Sequence, residues 1–196
     1  MNVQEATTRR LPDLKERHLP ENCRETINTI LKETYGYEQF RNLEIYDDLS
    51  KGKEKLCISQ GQLIENVILE AEKAWKGETQ VDNILLTAPT GSGKSLLFQL
   101  PAIYLGKEYN LLTIVVSPLK ALIVDQVESL QELGYTRVAY ASSDLSPEQK
   151  MEVYRQVREG EIDLFYLSPE LLLSYDIKHF VGERRIGLVG SMRHIR

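Results

Sequence analysis

Between Ile84 and Leu100 the chain passes from a short apolar stretch, Ile84-Leu-Leu86, through Ala88-Pro-Thr-Gly-Ser-Gly-Lys-Ser95, into a second apolar stretch, Leu96-Leu-Phe-Gln-Leu100. A strand, a glycine-rich turn and a buried helix in that order leave little freedom of fold. The spacing is that of a phosphate-binding loop, with Ala88 in the place of the first glycine. Gly91 and Gly93 let the backbone turn tightly with no Cβ in the way, so that successive N–H groups point inward at phosphate oxygens. The following helix turns the positive end of its dipole toward the same anion. Lys94 can reach the outer phosphates as a mobile charge, and the Ser95 hydroxyl can ligate magnesium. Ala88, Pro89, Thr90, Gly91, Ser92, Gly93, Lys94 and Ser95 are thus the expected phosphate site. The plain alternative is a glycine-rich turn that binds nothing. The loop alone does not separate an ATPase from a GTPase or a kinase.

Beyond the loop, strand and helix signals alternate. Leu111 to Val116 is an almost unbroken apolar run, as a strand covered on both faces requires. The spacing then predicts a helix over 119–133 ending at Gly134, a short strand over 137–141 and a helix from Ser146 to about Glu159. Pro147 and Gln149 complete a capping box for that last helix. A strand over 162–167, a short helix over 169–174 and the start of a strand at Ile186 follow. This succession implies a parallel sheet with right-handed crossovers and helices on both faces, whose ligands bind at the carboxyl ends of the strands.

Ahead of the loop, residues 1–20 are polar, carry Pro12 and Pro20, and read as a flexible arm. Residues 21–82 form a helical segment. Ile27, Ile30 and Leu31 mark a short amphipathic helix ending near Gly36, and apolar positions from Leu63 to Ala74 mark a longer one over 60–76. Between them, Tyr35-Gly-Tyr-Glu-Gln-Phe-Arg41 supports two readings: aromatics that pack a small helix onto the main domain, or an aromatic face that stacks on a base with Arg41 beside it. Residues 42–59 are charged and poorly periodic, and read as a surface loop or insertion.

Composition excludes some classes. No apolar run approaches a membrane span, and the amino terminus lacks a basic-then-apolar leader, so a cytoplasmic location and no membrane partner are expected. Cys23 and Cys57 lack metal-ligand spacing. A net charge of −5 argues against a protein that grips nucleic acid over a broadly basic surface. Recognition through backbone N–H groups and a few cations remains compatible with it.

Taken together, several stretches resemble the superfamily 2 DEAD/DEAH-box helicases, and among them the RecQ-like DNA helicases. Ala88 to Ala102 resembles helicase motif I and its helix. Val115-Val-Ser-Pro-Leu-Lys-Ala-Leu-Ile-Val-Asp-Gln-Val127 is similar to motif Ia, and Tyr140-Ala-Ser-Ser143 and Phe165-Tyr-Leu-Ser-Pro-Glu-Leu-Leu172 resemble the motifs that follow. The similarity runs from about residue 22 to 189, apart from 42–59. It implies the amino-terminal part of a first RecA-like motor domain over 83–196, with ATP and Mg2+ as cofactors. It further implies Tyr37 and Arg41 at the adenine, with Gln62 as the adenine-reading amide and Gln60 as the alternative. Ser117, Lys120, Ser168 and Glu170 would lie along a nucleic-acid backbone, single-stranded or forked DNA being expected and RNA the alternative. The other reading of both Ser-Pro pairs is that they cap helices.

Helicases of this kind carry an Asp-Glu pair at the end of the strand that Ile186 begins, the Asp holding magnesium and the Glu orienting the attacking water. Here no Asp or Glu follows Arg185, and His194 is a poor substitute. The expectation is a truncated first motor domain that binds ATP without appreciable hydrolysis or unwinding by itself, a protein partner being one source of the missing parts. A non-catalytic nucleotide- or DNA-binding module that regulates a partner is the alternative. A small-molecule P-loop kinase would leave the two Ser-Pro segments without a purpose.

Overall fold

The computed structural model describes residues 20–46, 55–84, 91–174 and 176–192. Buried hydrophobic residues of four parallel strands build its centre. Strand β3 (Leu112–Val116) pairs in parallel with β5 (Leu164–Leu167) on one side and with β6 (Ile186–Ser191) on the other, and β4 (Val138–Ala141) pairs in parallel with β5. The sheet order is therefore β4-β5-β3-β6.

Strand alternation sends successive side chains to opposite faces. Ile114, Phe165 and Leu167 pack against Tyr154 and Val157 of α5 (Pro147–Arg158) and Phe180 of α7 (Ile177–Val181). Val115, Leu164 and Tyr166 pack instead against Ala102 of α3 (Leu96–Tyr109) and Ile123 and Val127 of α4 (Lys120–Glu132). Helices thus cover both faces of a parallel sheet. The capping box on α5 forms as the sequence predicts: Gln149 N–H donates to the Ser146 hydroxyl, and Ser146 N–H donates to the Gln149 side chain. Helix α6 (Pro169–Ser174) follows β5 directly. Helix α7 has no counterpart in the sequence expectation, because five residues are too few to display a helical period; its Asp176 cap, accepting from Lys178 N–H, is the local signal.

A third apolar cluster joins α1 (Glu25–Tyr35), α2 (Gln60–Trp75) and α3. Arg24, at the head of α1, donates to Glu65 and Glu72 of α2, with Nη2 2.6 Å from Glu65 Oε1 and Nη1 2.7 Å from Glu72 Oε1. Tyr109 of α3 also donates to Glu72, at 2.9 Å. Burial opposes ionisation of Glu72, yet the hydrogen bonds from Arg24 and Tyr109 outweigh it and hold the carboxyl below its ordinary range. Burial and the neighbouring Glu65 push the Cys23 thiol up to about 12, so it is no nucleophile.

Residues 42–59 read as a loop from sequence. Their ends instead form an antiparallel pair, β1 (Asn42–Tyr46) with β2 (Lys55–Ser59), in which Leu43 lies opposite Ile58 and both are buried beside α1 and α2. Two strands of five residues, separated by the charged stretch 47–54, give too brief an alternation to stand out. Residues 1–19, 47–54, 85–90, 175 and 193–196, the last including His194, lie outside the described residues. With them lie the amino-terminal arm, most of the expected strand at 84–86, and Ala88, Pro89 and Thr90.

At the amino-terminal ends of the strands a buried carboxylate ties the sheet together. Asp163 is fully buried and accepts from Arg137 Nε at 2.6 Å, Tyr135 Oη at 3.0 Å and Arg184 Nη2 at 3.1 Å. Gly106 of α3 lies directly against it: a Cβ there would stand 2.3 Å from Asp163 Cγ, so the helix can approach only with glycine at this position.

Candidate nucleotide site and strand-end surface

The described half of the phosphate loop has the backbone that the sequence requires. Gly91 and Gly93 hold φ of 81° and 76°, the left-handed region in which a side chain is strained. Ser92 between them has a buried hydroxyl with no hydrogen-bond partner among the described residues. Ser95 precedes the first turn of α3, and its side chain makes no capping bond, so its hydroxyl is not claimed by the helix. Lys94 stands beside it at the same helix end. Together these form an amide-rich turn at a helix N-terminus, chemistry suited to a phosphate chain. For magnesium the described residues offer the Ser95 hydroxyl, and no cluster of three or more His, Cys, Asp or Glu side chains exists among them.

The loop opens into a cleft of about 900 Å³ whose walls include Tyr37, Arg41, Gln60, Lys94 and Ser95, with Gly190 and Met192 at the end of β6 opposite. The aromatic segment divides its labour. Tyr35 is packed beneath and donates its hydroxyl to Gln99 Oε1 on α3 at 3.0 Å, and Phe40 lies under α2, where a Cβ on Gly61 would stand 2.7 Å from its ring. Burial raises the Tyr35 phenol well above its usual range. Tyr37 stacks on Tyr35, ring centroids 6.4 Å apart and 16° from parallel, and remains 48% exposed. Packing and an available aromatic face are both present, on different residues.

Of the two glutamines, Gln60 touches the loop. Its side chain is 1% exposed; Nε2 donates to the carbonyls of Ser92 and Gly93, both at 3.2 Å, while Oε1 accepts from Arg41 N–H at 3.2 Å. The β1–β2 hairpin makes this contact: its ends close on each other, and Gln60 N–H donates to Arg41 O at 2.9 Å. Gln62 is used elsewhere. Its Oε1 accepts from Ser59 N–H in the capping box of α2, and its Nε2 donates to Pro20 O at 3.2 Å. Two residues further along a helix is a rotation of about 200°, which carries Gln62 away from the loop.

A second set of residues lies at the carboxyl ends of the strands. Ser117 follows β3 and Ser168 follows β5. The Ser117 hydroxyl is buried and accepts from Leu119 N–H at 3.3 Å; that of Ser168 accepts from Leu171 N–H at 3.3 Å. Ser168 therefore caps α6, whereas Ser117 closes a turn just ahead of α4, whose cap residue Leu119 makes no side-chain bond; each hydroxyl keeps a proton to donate. Glu170 is exposed in the first turn of α6. Lys120 opens α4 and is ion-paired with Asp144. Ser142, after β4, is a buried hydroxyl without a partner among the described residues, and sequence reasoning passed it over; its position after a strand, like that of Ser117 and Ser168, was the available signal.

A parallel sheet with helices on both faces and a glycine-rich anion loop at a helix head define a P-loop nucleotide-binding domain. The chain belongs to the DEAD/DEAH box helicase family, whose model matches residues 61–189, and its fold is that of a RecA-like helicase domain. Its relatives include the ATP-dependent DNA helicase RecQ of Synechocystis, 32% identical over 86% of this chain and 29% of that protein. The RecQ of Bacillus subtilis is 32% identical over 76% of this chain and 20% of that protein. The ATP-dependent DNA helicase Q-like 5 of Arabidopsis thaliana is 32% identical over 86% of this chain and 14% of that one. The chain thus spans less than a third of the length of these relatives. Among solved structures, the DUF1998 helicase MrfA bound to DNA matches 83% of this chain and 18% of that one, at a TM-score of 0.48 and 21% identity.

Proposed function

We propose that this chain is the ATP-binding lobe of a RecQ-like DNA helicase, that it binds Mg-ATP and contacts single-stranded nucleic acid, and that it turns ATP over poorly by itself. The observation that carries the reading is the Gly91-Ser92-Gly93 turn, with both glycines left-handed and the Ser92 hydroxyl without a partner among the described residues, opening into a cleft that also contains Tyr37 and Arg41. Phosphates would lie against the loop and the head of α3, with Lys94 on the outer phosphates and Ser95 on magnesium. The base would stack on Tyr37 with Arg41 at its edge. Gln60, already bonded to both the loop and Arg41, is the glutamine that joins the base end of the cleft to the phosphate end. Bound magnesium would neutralise charge between the outer phosphates.

Poor turnover follows from the far wall. The carboxyl end of β6 carries Gly190, Ser191 and then Met192, so β6 itself supplies neither a magnesium carboxylate nor a base for water. The same feature favours a second reading, a nucleotide-binding module that acts through a partner supplying those groups. Calorimetry with Mg-ATP, and an ATPase assay with and without oligothymidylate or oligouridylate, tests the proposal. Micromolar to millimolar ATP binding, lost in Lys94→Ala, with negligible hydrolysis is expected. Strong hydrolysis stimulated by the oligonucleotide and abolished by Lys94→Ala would refute the claim of poor turnover, and absence of any ATP binding would refute the whole reading.

A further inference from the structure

We propose that Asp144 is a built-in competitor for nucleic-acid phosphate at Lys120, keeping the strand-end surface self-neutralised until a backbone phosphate displaces it. The inference rests on the reading of that surface as a nucleic-acid contact and adds the means by which its affinity is set.

Three adjacent parallel strands end level with one another: Val116 of β3 and Ala141 of β4 both lie opposite Leu167 of β5. Ser142, Ser168 and Ser117, the residues next in line, therefore form a row across the sheet, about 10 Å long at the usual strand spacing. Ser117 and Ser168 each accept one hydrogen bond and retain a hydroxyl proton, while the Ser142 hydroxyl is buried without a partner among the described residues. Ser117 and Ser142 are buried and Ser168 is half-buried, so the row lies just beneath the strand-end surface and only Ser168 is partly open to an anion. Lys120, in the first turn of α4 after Ser117, is the cation beside it.

The Lys120 ammonium is occupied by Asp144 Oδ2. The carboxylate is held for this contact rather than swept there on a long tether. Asp144 sits in a tight turn between β4 and α5, where Leu145 N–H donates to Ser142 O at 3.4 Å. The Ser143 hydroxyl donates to Asp144 Oδ1 at 3.1 Å, and Lys150 donates to Ser143 O at 3.4 Å. Both partners are about half exposed, 48% for Lys120 and 56% for Asp144, so water screens the pair. Such a pair is strong enough to bias the lysine and weak enough for a phosphate to replace it. With Asp144 against Lys120 on a chain of net charge −5, an approaching phosphate meets repulsion until the carboxylate gives way.

The salt dependence separates this device from an idle surface pair. A lone lysine that neutralises one phosphate on a single strand steepens the logarithmic salt slope by about 0.7. Lys120 with Asp144 still beside it contributes less, because the carboxylate remains as an uncompensated charge next to the phosphate.

The test is fluorescence anisotropy of labelled oligothymidylate across a sodium chloride series, with the wild-type chain, Asp144→Asn, Lys120→Ala, the double variant and Glu132→Gln. The last removes an equal charge from the other end of α4, about 18 Å away along the helix. Asp144→Asn is expected to bind about three- to fivefold more tightly at low salt, the range of a screened pair, and to steepen the slope by up to about 0.7. Glu132→Gln is expected to match the wild type, and Asp144→Asn to lose its effect once Lys120 is alanine. If Asp144→Asn behaves as Glu132→Gln does, or keeps its full effect without Lys120, the competitor role is wrong while the nucleic-acid reading stands. If no form binds the strand at any salt, both are wrong.

Discussion

Truncating Gln60 to alanine should uncouple the two ends of the nucleotide cleft. The side chain makes three hydrogen bonds at 3.2 Å from a position 1% exposed: two to the Ser92 and Gly93 carbonyls and one from Arg41 N–H. At about 1 kcal/mol net for each, the two bonds to the loop contribute about 2 kcal/mol to holding it in its binding shape. If that organisation is needed for phosphate, Gln60→Ala should weaken Mg-ATP by about thirtyfold, at 1.4 kcal/mol per factor of ten. The loss should be shared by ADP and be smaller for adenosine, which does not reach the loop. Gln62→Ala provides the contrast, because it removes one arm of the α2 capping box and the bond to Pro20 O and should cost about 1 kcal/mol of stability with ATP affinity unchanged. Calorimetric titration with the three ligands, beside urea unfolding of each variant, reads both effects. Near wild-type ATP affinity in Gln60→Ala, together with a large loss in Gln62→Ala, would refute the reasoning and favour Gln62 as the adenine-reading amide.

Asp163→Asn should lower unfolding free energy by about 3 kcal/mol, because it strands the buried Arg184 guanidinium without its counter-charge; urea midpoints measure this, and ATP affinity should be unchanged since the cluster lies at the opposite ends of the strands. Glu72→Gln should cost about 2 kcal/mol at neutral pH through the weakened Arg24 link. The Glu72 carboxyl titrates below its ordinary range when folded, so this advantage of the wild type is fully present above that range and disappears as pH falls through the depressed folded value. Urea midpoints of both proteins over a descending pH series should converge only in strong acid.

Sequence periodicity was sufficient for the regular part of the fold. The apolar run at 112–116, the helix over 60–75 and the Ser146-Pro147-Gln149 cap each express a local rule, strand burial, helical repeat or helix-end hydrogen bonding, that needs no distant partner. It was insufficient for β1 and β2, whose identity as strands depends on one meeting the other across residues 47–54.

By itself the sequence determined the chemistry of the phosphate loop, because Gly91, Gly93, Lys94 and Ser95 lie in one continuous turn where spacing and geometry are the same thing. Only the tertiary structure decided which glutamine meets that turn and what Lys120 faces. Gln60 reaches Ser92 because a hairpin returns the chain to Arg41, and Asp144 reaches Lys120 because β3 and β4, on either side of β5, end level with each other. Contacts between segments 24 to 32 positions apart are set by strand order and helix rotation, which no local pattern encodes.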